Sequence, residues 1–78
     1  MSKDKNRHID KYKILGKNIK KYRKQLGLSQ EELAFSISSA RNYIGCIERA
    51  EKLPSLNTVF DIASELQVDI KDLFSTTT

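Results

Sequence analysis

The 78-residue sequence has one cysteine, one histidine, one proline, three glycines and no tryptophan. The single cysteine, Cys46, cannot form an internal disulfide, and it lies too far along the chain from His8 to suggest a zinc site. No apolar run approaches the roughly 20 residues that span a bilayer, and the amino terminus leads into no apolar stretch of the signal-peptide kind. No glycine-rich phosphate loop and no catalytic grouping of side chains is present. These absences predict a cytoplasmic protein that is not an enzyme and has no metal, cofactor, membrane partner or evident small-molecule ligand.

The remaining composition is that of one small globular domain. Hydrophobic residues make up 38% and charged residues 31% of the chain, so the sequence is neither fibrous nor polar enough to be disordered. We expect these 78 residues to form a single domain.

Charge is distributed unevenly along the chain. Residues 1–25 hold ten Lys or Arg against two acids, a net charge of +8, whereas residues 26–78 hold four against eight, a net charge of −4. A basic end attracts polyanions, of which nucleic acid is the first candidate and an anionic membrane surface the second. A solvated helix face beside a lysine-rich tail would give the same pattern.

The spacing of apolar residues predicts an all-α fold of five helices. Residues 1–12 are basic and carry few apolar side chains, so we expect a flexible tail there. From Ile14 onward the apolar positions recur every three or four residues, which predicts a first helix that ends at Gly27. Its inward stripe comprises Leu15, Ile19, Tyr22 and Leu26.

Hydroxyl residues mark the start of the next helices. Ser29 and Glu32 have the spacing of a capping box, so a second helix begins at Gln30. A short turn and a third helix over residues 41–49 follow. The inward residues of these two helices are predicted to be Leu33, Ala34, Ile37, Ile44 and Ile47.

Two more helices complete the predicted domain. Ser55 caps a fourth helix, and Asp69 caps a short fifth helix that extends to Phe74. The inward stripe of the fourth helix is predicted to be Leu56, Val59, Ala63 and Leu66. Residues 13–74 are therefore expected to form the domain, and residues 75–78 are expected to fray.

Two short helices joined by a tight turn are the helix-turn-helix arrangement, which sets a recognition helix in the DNA major groove. From Ile14 to Phe74 the sequence resembles the phage repressor and Cro (XRE-like) type of helix-turn-helix domain. The resemblance is carried by LGLSQEELA at 26–34, RNYI at 41–44, IER at 47–49 and PSLNTV at 54–59. Within that family the sequence looks most like the controller proteins of restriction-modification systems.

The turn departs from the pattern of the family. The usual turn glycine is Ser38, the usual apolar turn residue is Ser39, and the usual hydroxyl cap of the recognition helix is Ala40. We expect Ser38 to adopt a positive φ, and Ser39 to serve as the cap if the third helix begins one residue early. Ala50 replaces the glycine that commonly ends the third helix, so a left-handed alanine is expected there.

The resemblance and the hydrogen-bonding capacity of the side chains together indicate the DNA contacts. Arg41 can bond O6 and N7 of guanine, and Asn42 can bond N6 and N7 of adenine. Cys46 follows on the same outward face, where it can touch a thymine methyl group. The expected phosphate contacts are Gln30, Tyr43, Arg49 and Lys52.

Plainer structural roles are open for several of these residues. Arg41 and Lys52 can simply be solvated, Asn42 can contact phosphate or cap the helix, and Cys46 and Tyr43 can pack as partly buried side chains. The resemblance also implies that Arg23 and Glu48 form a partly buried ion pair between the first and third helices.

A domain this small reads few base pairs, so we expect a homodimer. The family dimerises through its carboxyl-terminal end, where Ile70, Leu73 and Phe74 are the expected interface; alternatively, Leu73 and Phe74 fold back onto the first and fourth helices. The predicted function is a sequence-specific DNA-binding transcriptional regulator, a repressor or controller, that acts on double-stranded DNA at a near-palindromic operator. The alternative is a protein-binding module, such as an antitoxin-like or antirepressor-binding domain.

Overall fold

A computed structural model describes residues 7–76. The helices in this range are α1 (Ile9–Gln25), α2 (Gln30–Ser36), α3 (Tyr43–Glu48), α4 (Leu56–Leu66) and α5 (Ile70–Leu73), and no strand occurs in it. The prediction of an all-α, five-helix domain is confirmed.

All five helices contribute to one hydrophobic core. The longest helix, α1, packs against α3, α4 and α5, and α2 packs against α3 and α4. The buried apolar side chains are Leu15, Ile19, Leu33, Ala34, Ile44, Ile47, Val59, Ile62, Ala63, Leu66 and Leu73. The core therefore holds α2 against α3 and α4, and α3 against α1 and α2.

Two residues of the predicted apolar stripes are exposed, and one residue outside these stripes is buried. Leu26 is 44% and Leu56 67% exposed, whereas Ile62, which was not predicted to face inward, is completely buried. Leu26 lies after the last residue of α1, where the chain turns away from the core, and Leu56 is the first residue of α4. Helical spacing identifies a face, but it does not tell how far the core extends along that face.

Both ends of the domain are more ordered than the sequence suggested. Residues 9–12, expected in the basic tail, belong to α1, because Tyr12 packs against the core and gives this first turn apolar contact. At the other end, the Ser75 carbonyl accepts a hydrogen bond from Asn18 Nδ2 at 2.9 Å, so residue 75 is held rather than frayed. Residues 1–6 of the expected tail and residues 77–78 lie outside the described range.

Side-chain caps define the starts of α2 and α4. The Glu32 amide donates to Ser29 Oγ at 3.0 Å, and the Ser29 amide donates to Glu32 Oε1 at 2.8 Å, as the capping-box pattern predicted. The Thr58 amide donates to Ser55 Oγ at 3.2 Å. At α5 the Asp69 amide donates to the Asp72 carboxylate at 3.1 Å.

The third helix starts later than predicted. It begins at Tyr43 rather than at residue 41, and Asn42, the residue before it, makes no side-chain capping bond. Ser39 is not its cap, because the Ser39 hydroxyl instead donates back to the Ala34 carbonyl at 3.2 Å. With alanine at position 40, no hydroxyl stands where the family usually has its cap.

Four helices end in the same way, with one residue in the left-handed conformation. These residues are Gly27, Ser38, Ala50 and Gln67, with φ of 72°, 57°, 59° and 62°. After α2, for example, the Ser39 amide bonds the Ala34 carbonyl at 2.9 Å and the Ser38 amide bonds the Phe35 carbonyl at 3.0 Å, which is the Schellman pattern. The expected positive φ at Ser38 and the expected left-handed alanine at position 50 are thus confirmed.

A close helix contact requires glycine at position 16. A Cβ atom there would lie 2.6 Å from the backbone carbonyl oxygens of Ile47 and Glu48. These are backbone atoms that cannot rotate away, so Gly16 sets how closely α1 approaches the end of α3.

We expect Ser38→Gly and Ala50→Gly each to raise the free energy of unfolding by about 0.5 to 1 kcal/mol, because glycine removes the left-handed strain. Denaturant titration measures the change. Ala40→Gly is the matched control, since Ala40 is exposed and has no positive φ. An equal gain from Ala40→Gly would contradict the role of strain.

Candidate nucleic-acid interface

A hydrogen-bonded network centred on Glu48 fixes α3 against α1 and α2. Arg23 Nε donates to Glu48 Oε2 at 2.7 Å and Arg23 Nη2 donates to Glu48 Oε1 at 3.1 Å. The Arg23 and Glu48 side chains are only 8% and 3% exposed. Arg23 Nη1 also donates to the Leu28 carbonyl at 2.7 Å, and Gln30 Nε2 donates to Glu48 Oε1 at 2.9 Å. The ion pair expected from the resemblance is therefore present, with a third side chain joined to it.

Gln30, expected to contact a DNA phosphate, also makes contacts within the protein. Its amide bonds Glu48, and its Oε1 would lie 3.1 Å from a Cβ at position 45. Gly45 thus leaves room for the Gln30 side chain between α2 and α3. Because an amide nitrogen carries two N–H groups, one remains for a further acceptor.

The base-contact candidates lie at the start of α3 and on its outward side. Arg41 and Asn42 are exposed in the turn before α3, and Cys46 is half-buried one turn further on. Asn42 makes no capping bond, so the alternative role of a helix cap is not adopted. Arg41 Nε contacts Glu31 Oε2 at 2.9 Å, with the two side chains 81% and 63% exposed.

The other phosphate candidates have different surroundings. Tyr43 is half-buried and packs against the core, whereas Lys52 is exposed. Arg49 Nε donates to Glu51 Oε2 at 3.0 Å, and Arg49 Nη2 lies 3.9 Å from Cys46 Sγ. The hydrogen bond and the charge of Arg49 lower the pKa of Glu51.

The structure brings Gln30, Cys46 and Arg49 together on one side of α3, while Arg41 lies beside Glu31 of α2. Sequence reasoning missed the carboxylates that pair with the two exposed arginines. Glu51 lies two residues after Arg49, and this short spacing is enough to suggest an ion pair from the sequence. Glu31 is ten residues from Arg41 in the sequence, and no helical spacing connects them.

The expected dimer residues fall into three different environments. Ile70 is half-buried, Phe74 is 42% exposed, and Leu73 is completely buried in the core. The assignment of Leu73 to an interface is therefore wrong. Leu73 packs inside its own protomer, as the alternative given for it predicted. Asn18 Nδ2 donates to the Leu73 carbonyl and to the Ser75 carbonyl, both at 2.9 Å, and so fixes the chain on either side of Phe74.

Phe74 lies beside further exposed apolar surface that the sequence did not indicate. A groove of about 410 Å³ is lined by Phe74 together with Tyr12, Pro54 and Leu56 among others. Phe60, one turn after Leu56 on α4, is 52% exposed. Exposed apolar groups from α4 thus extend the surface around Phe74.

Two classes of site find no support within residues 7–76. No helix there combines the length and the apolarity needed to cross a membrane. No group of three or more His, Cys, Asp or Glu side chains in that range is arranged to hold a metal ion.

Residues 19–73 match the helix-turn-helix family HTH_3. The chain belongs to this family. It is therefore a DNA-binding transcriptional regulator of the helix-turn-helix class, and the expected resemblance to phage repressor-type domains is confirmed.

Similar proteins include controllers of restriction-modification systems. The chain is 36% identical over 67 residues to control protein C.SmaI of Serratia marcescens, covering 86% of this chain and 80% of that protein. The crystal structure of the restriction-modification controller protein C.AhdI from Aeromonas hydrophila superposes with a TM-score of 0.80 at 32% identity, covering 87% of this chain and 99% of that one. A hypothetical transcription factor from Neisseria, NHTF, gives a TM-score of 0.81 at 30% identity over 85% of this chain and 76% of that one.

We expect removal of one partner of the buried ion pair, by Arg23→Met or Glu48→Gln, to lower the free energy of unfolding by about 3 kcal/mol, because a buried charge loses its partner. A double-mutant cycle measures the coupling between the two residues. The exposed pair of Arg49 and Glu51 is the control and should show much weaker coupling. Equal coupling free energies in the two pairs would contradict the prediction that burial strengthens the interaction of Arg23 with Glu48.

Proposed function

We propose that the chain binds a specific operator in double-stranded DNA as a homodimer, with α3 and the turn before it in the major groove. The observation that carries this proposal is that Arg41 and Asn42, whose side chains are able to bond base edges, are exposed just before a helix fixed by the buried Glu48 network. A fixed recognition helix keeps such side chains in the geometry that base discrimination needs.

Arg41 and Asn42 are the proposed base readers. A guanidinium group bonds O6 and N7 of one guanine together, and a carboxamide does the same with N6 and N7 of adenine. Half-buried Cys46 lies further along α3 and presents part of its surface for apolar contact with a thymine methyl group.

The proposed phosphate contacts surround this position. Exposed Arg49 and Lys52 follow α3, the Gln30 amide on α2 has a second N–H besides the one that bonds Glu48, and the Tyr43 hydroxyl adds a donor. Such contacts fix the register on the duplex without reading sequence. The exposed lysines of α1, among them Lys17, Lys20, Lys21 and Lys24, add a general attraction to DNA.

The proposed dimer interface is the carboxyl-terminal surface formed by Ile70 and Phe74 together with Leu56 and Phe60 of α4. These residues place exposed or half-buried apolar area on one end of the domain. Two protomers supply the affinity that one small domain lacks. In a two-fold dimer the two α3 helices would lie about 34 Å apart, which requires a near-palindromic operator. Acting on such operators in the cytoplasm, the protein would repress or activate the adjacent promoter.

A protein-binding module is the second candidate, because Phe35 on α2 is 84% exposed. Co-purification discriminates between the two. Nuclease-sensitive nucleic acid carried along at low salt favours DNA binding, and a second protein in stoichiometric amount favours the alternative. Selection of bound fragments from random DNA then gives the operator and its half-site spacing.

We expect Arg41→Ala to weaken binding to the selected site by about 1 to 3 kcal/mol with little effect on random DNA, because a bidentate base contact is sequence-selective. Lys52→Ala is the comparison: it should weaken both duplexes and lower the salt slope by about one unit. Titrations at several salt concentrations measure both quantities. Equal losses on the two duplexes for Arg41→Ala would exclude it as a base reader.

We expect Phe74→Lys to abolish dimerisation at micromolar concentration, because it buries a charge in an apolar interface. Sedimentation with and without operator DNA measures the assembly. Phe35→Lys is the control, since Phe35 is exposed on α2 and does not line the groove beside Phe74. A parent protein that stays monomeric on DNA, or a Phe74→Lys variant that still dimerises, would refute this interface.

A further inference from the structure

The exposed ion pair between Glu31 and Arg41 crosses the helix-turn-helix. Glu31 is the second residue of α2, Arg41 lies in the turn before α3, and Glu31 Oε2 is 2.9 Å from Arg41 Nε. With the side chains 63% and 81% exposed, the pair contributes little to folding stability. Because this ion pair involves Arg41, the proposed base reader, we expect its effect on DNA recognition rather than on stability.

The carboxylate oxygen of Glu31 lies beside Nε of Arg41, at the base of the guanidinium group. The contact is an ion pair, and the two terminal nitrogens Nη1 and Nη2 form a fork of parallel N–H donors. That fork matches O6 and N7 of a guanine. The charge of the carboxylate thus draws the guanidinium group toward α2, and the terminal donors stay available to read the base.

From this geometry we propose that Glu31 is a positioning residue that raises the sequence specificity of DNA binding by orienting Arg41. The inference rests on the proposed function of Arg41 as a base reader. Glu31 also places a negative charge at the DNA-facing turn, where it is repelled by phosphates of any sequence. A correct guanine offsets that repulsion through two hydrogen bonds to the oriented fork, whereas an incorrect base pair does not.

A second exposed ion pair on the same surface provides a matched control. Arg49 Nε contacts Glu51 Oε2 at 3.0 Å, with the side chains 57% and 55% exposed. The chemistry is the same, but Arg49 is assigned to a phosphate, which carries no sequence information. Removing Glu51 should therefore change binding to every duplex by the same factor.

The test compares binding of Glu31→Ala, Glu31→Gln and Glu51→Ala to two duplexes. One duplex carries the site selected from random DNA, and the other differs only at the guanine read by Arg41. Glu31→Ala should lower the ratio of the two affinities about threefold to fivefold, mainly by binding the altered duplex more tightly. Glu31→Gln keeps the size of the side chain but removes the charge, and it should lower the ratio as Glu31→Ala does. Glu51→Ala should tighten binding to both duplexes and leave the ratio unchanged.

Variants that also carry Arg41→Ala distinguish the role of Glu31 from the role of Arg41 as a base reader. If Glu31 acts through Arg41, adding Glu31→Ala to Arg41→Ala does not change the ratio further. An unchanged ratio in Glu31→Ala alone, beside a lowered ratio in Arg41→Ala, would overturn the role of Glu31 and leave the base reader in place. An unchanged ratio in Arg41→Ala would overturn the base reader, and the inference with it. Thermal unfolding of each variant verifies that the domain is folded.

Discussion

The buried ion pair between Arg23 and Glu48 is the interaction on which the DNA-facing surface depends. Removing two charges from water is costly, and the cost is offset only when every donor and acceptor finds a partner. Here the guanidinium bonds the carboxylate twice and the Leu28 carbonyl once, and Gln30 bonds the same carboxylate. Within residues 7–76, no buried side-chain nitrogen or oxygen lacks a partner. Three helices are thereby locked in a single arrangement.

The exposed face of α3 derives its geometry from this network and its electrostatics from neighbouring acids. Arg41 and Arg49 each have a carboxylate at about 3 Å. The net positive charge is concentrated instead on α1, whose lysines are exposed. In the proposed function, the general attraction to DNA and the reading of bases therefore belong to different parts of one small domain.

The carboxyl-terminal end shows how one buried polar side chain shapes a surface. Asn18 on α1 donates to the carbonyls on either side of Phe74. That clamp places Leu73 inside the core and leaves Phe74 exposed, although both are large apolar residues adjacent in the sequence. The exposure of Phe74 to a partner therefore depends on a residue of α1 that is distant from it in the sequence.

The sequence by itself determined the features that depend on local chemistry or on the pattern of the family. It was enough to predict the five helices, the caps at Ser29 and Ser55, and the left-handed residues Ser38 and Ala50. The tertiary structure alone decided the burial of Leu73 and the contact between Glu31 and Arg41. Helical periodicity shows which side of a helix is apolar, but not where the core ends along it or which side chain of another helix lies opposite. Those outcomes depend on how the helices pack, and packing joins residues that no fixed sequence spacing relates.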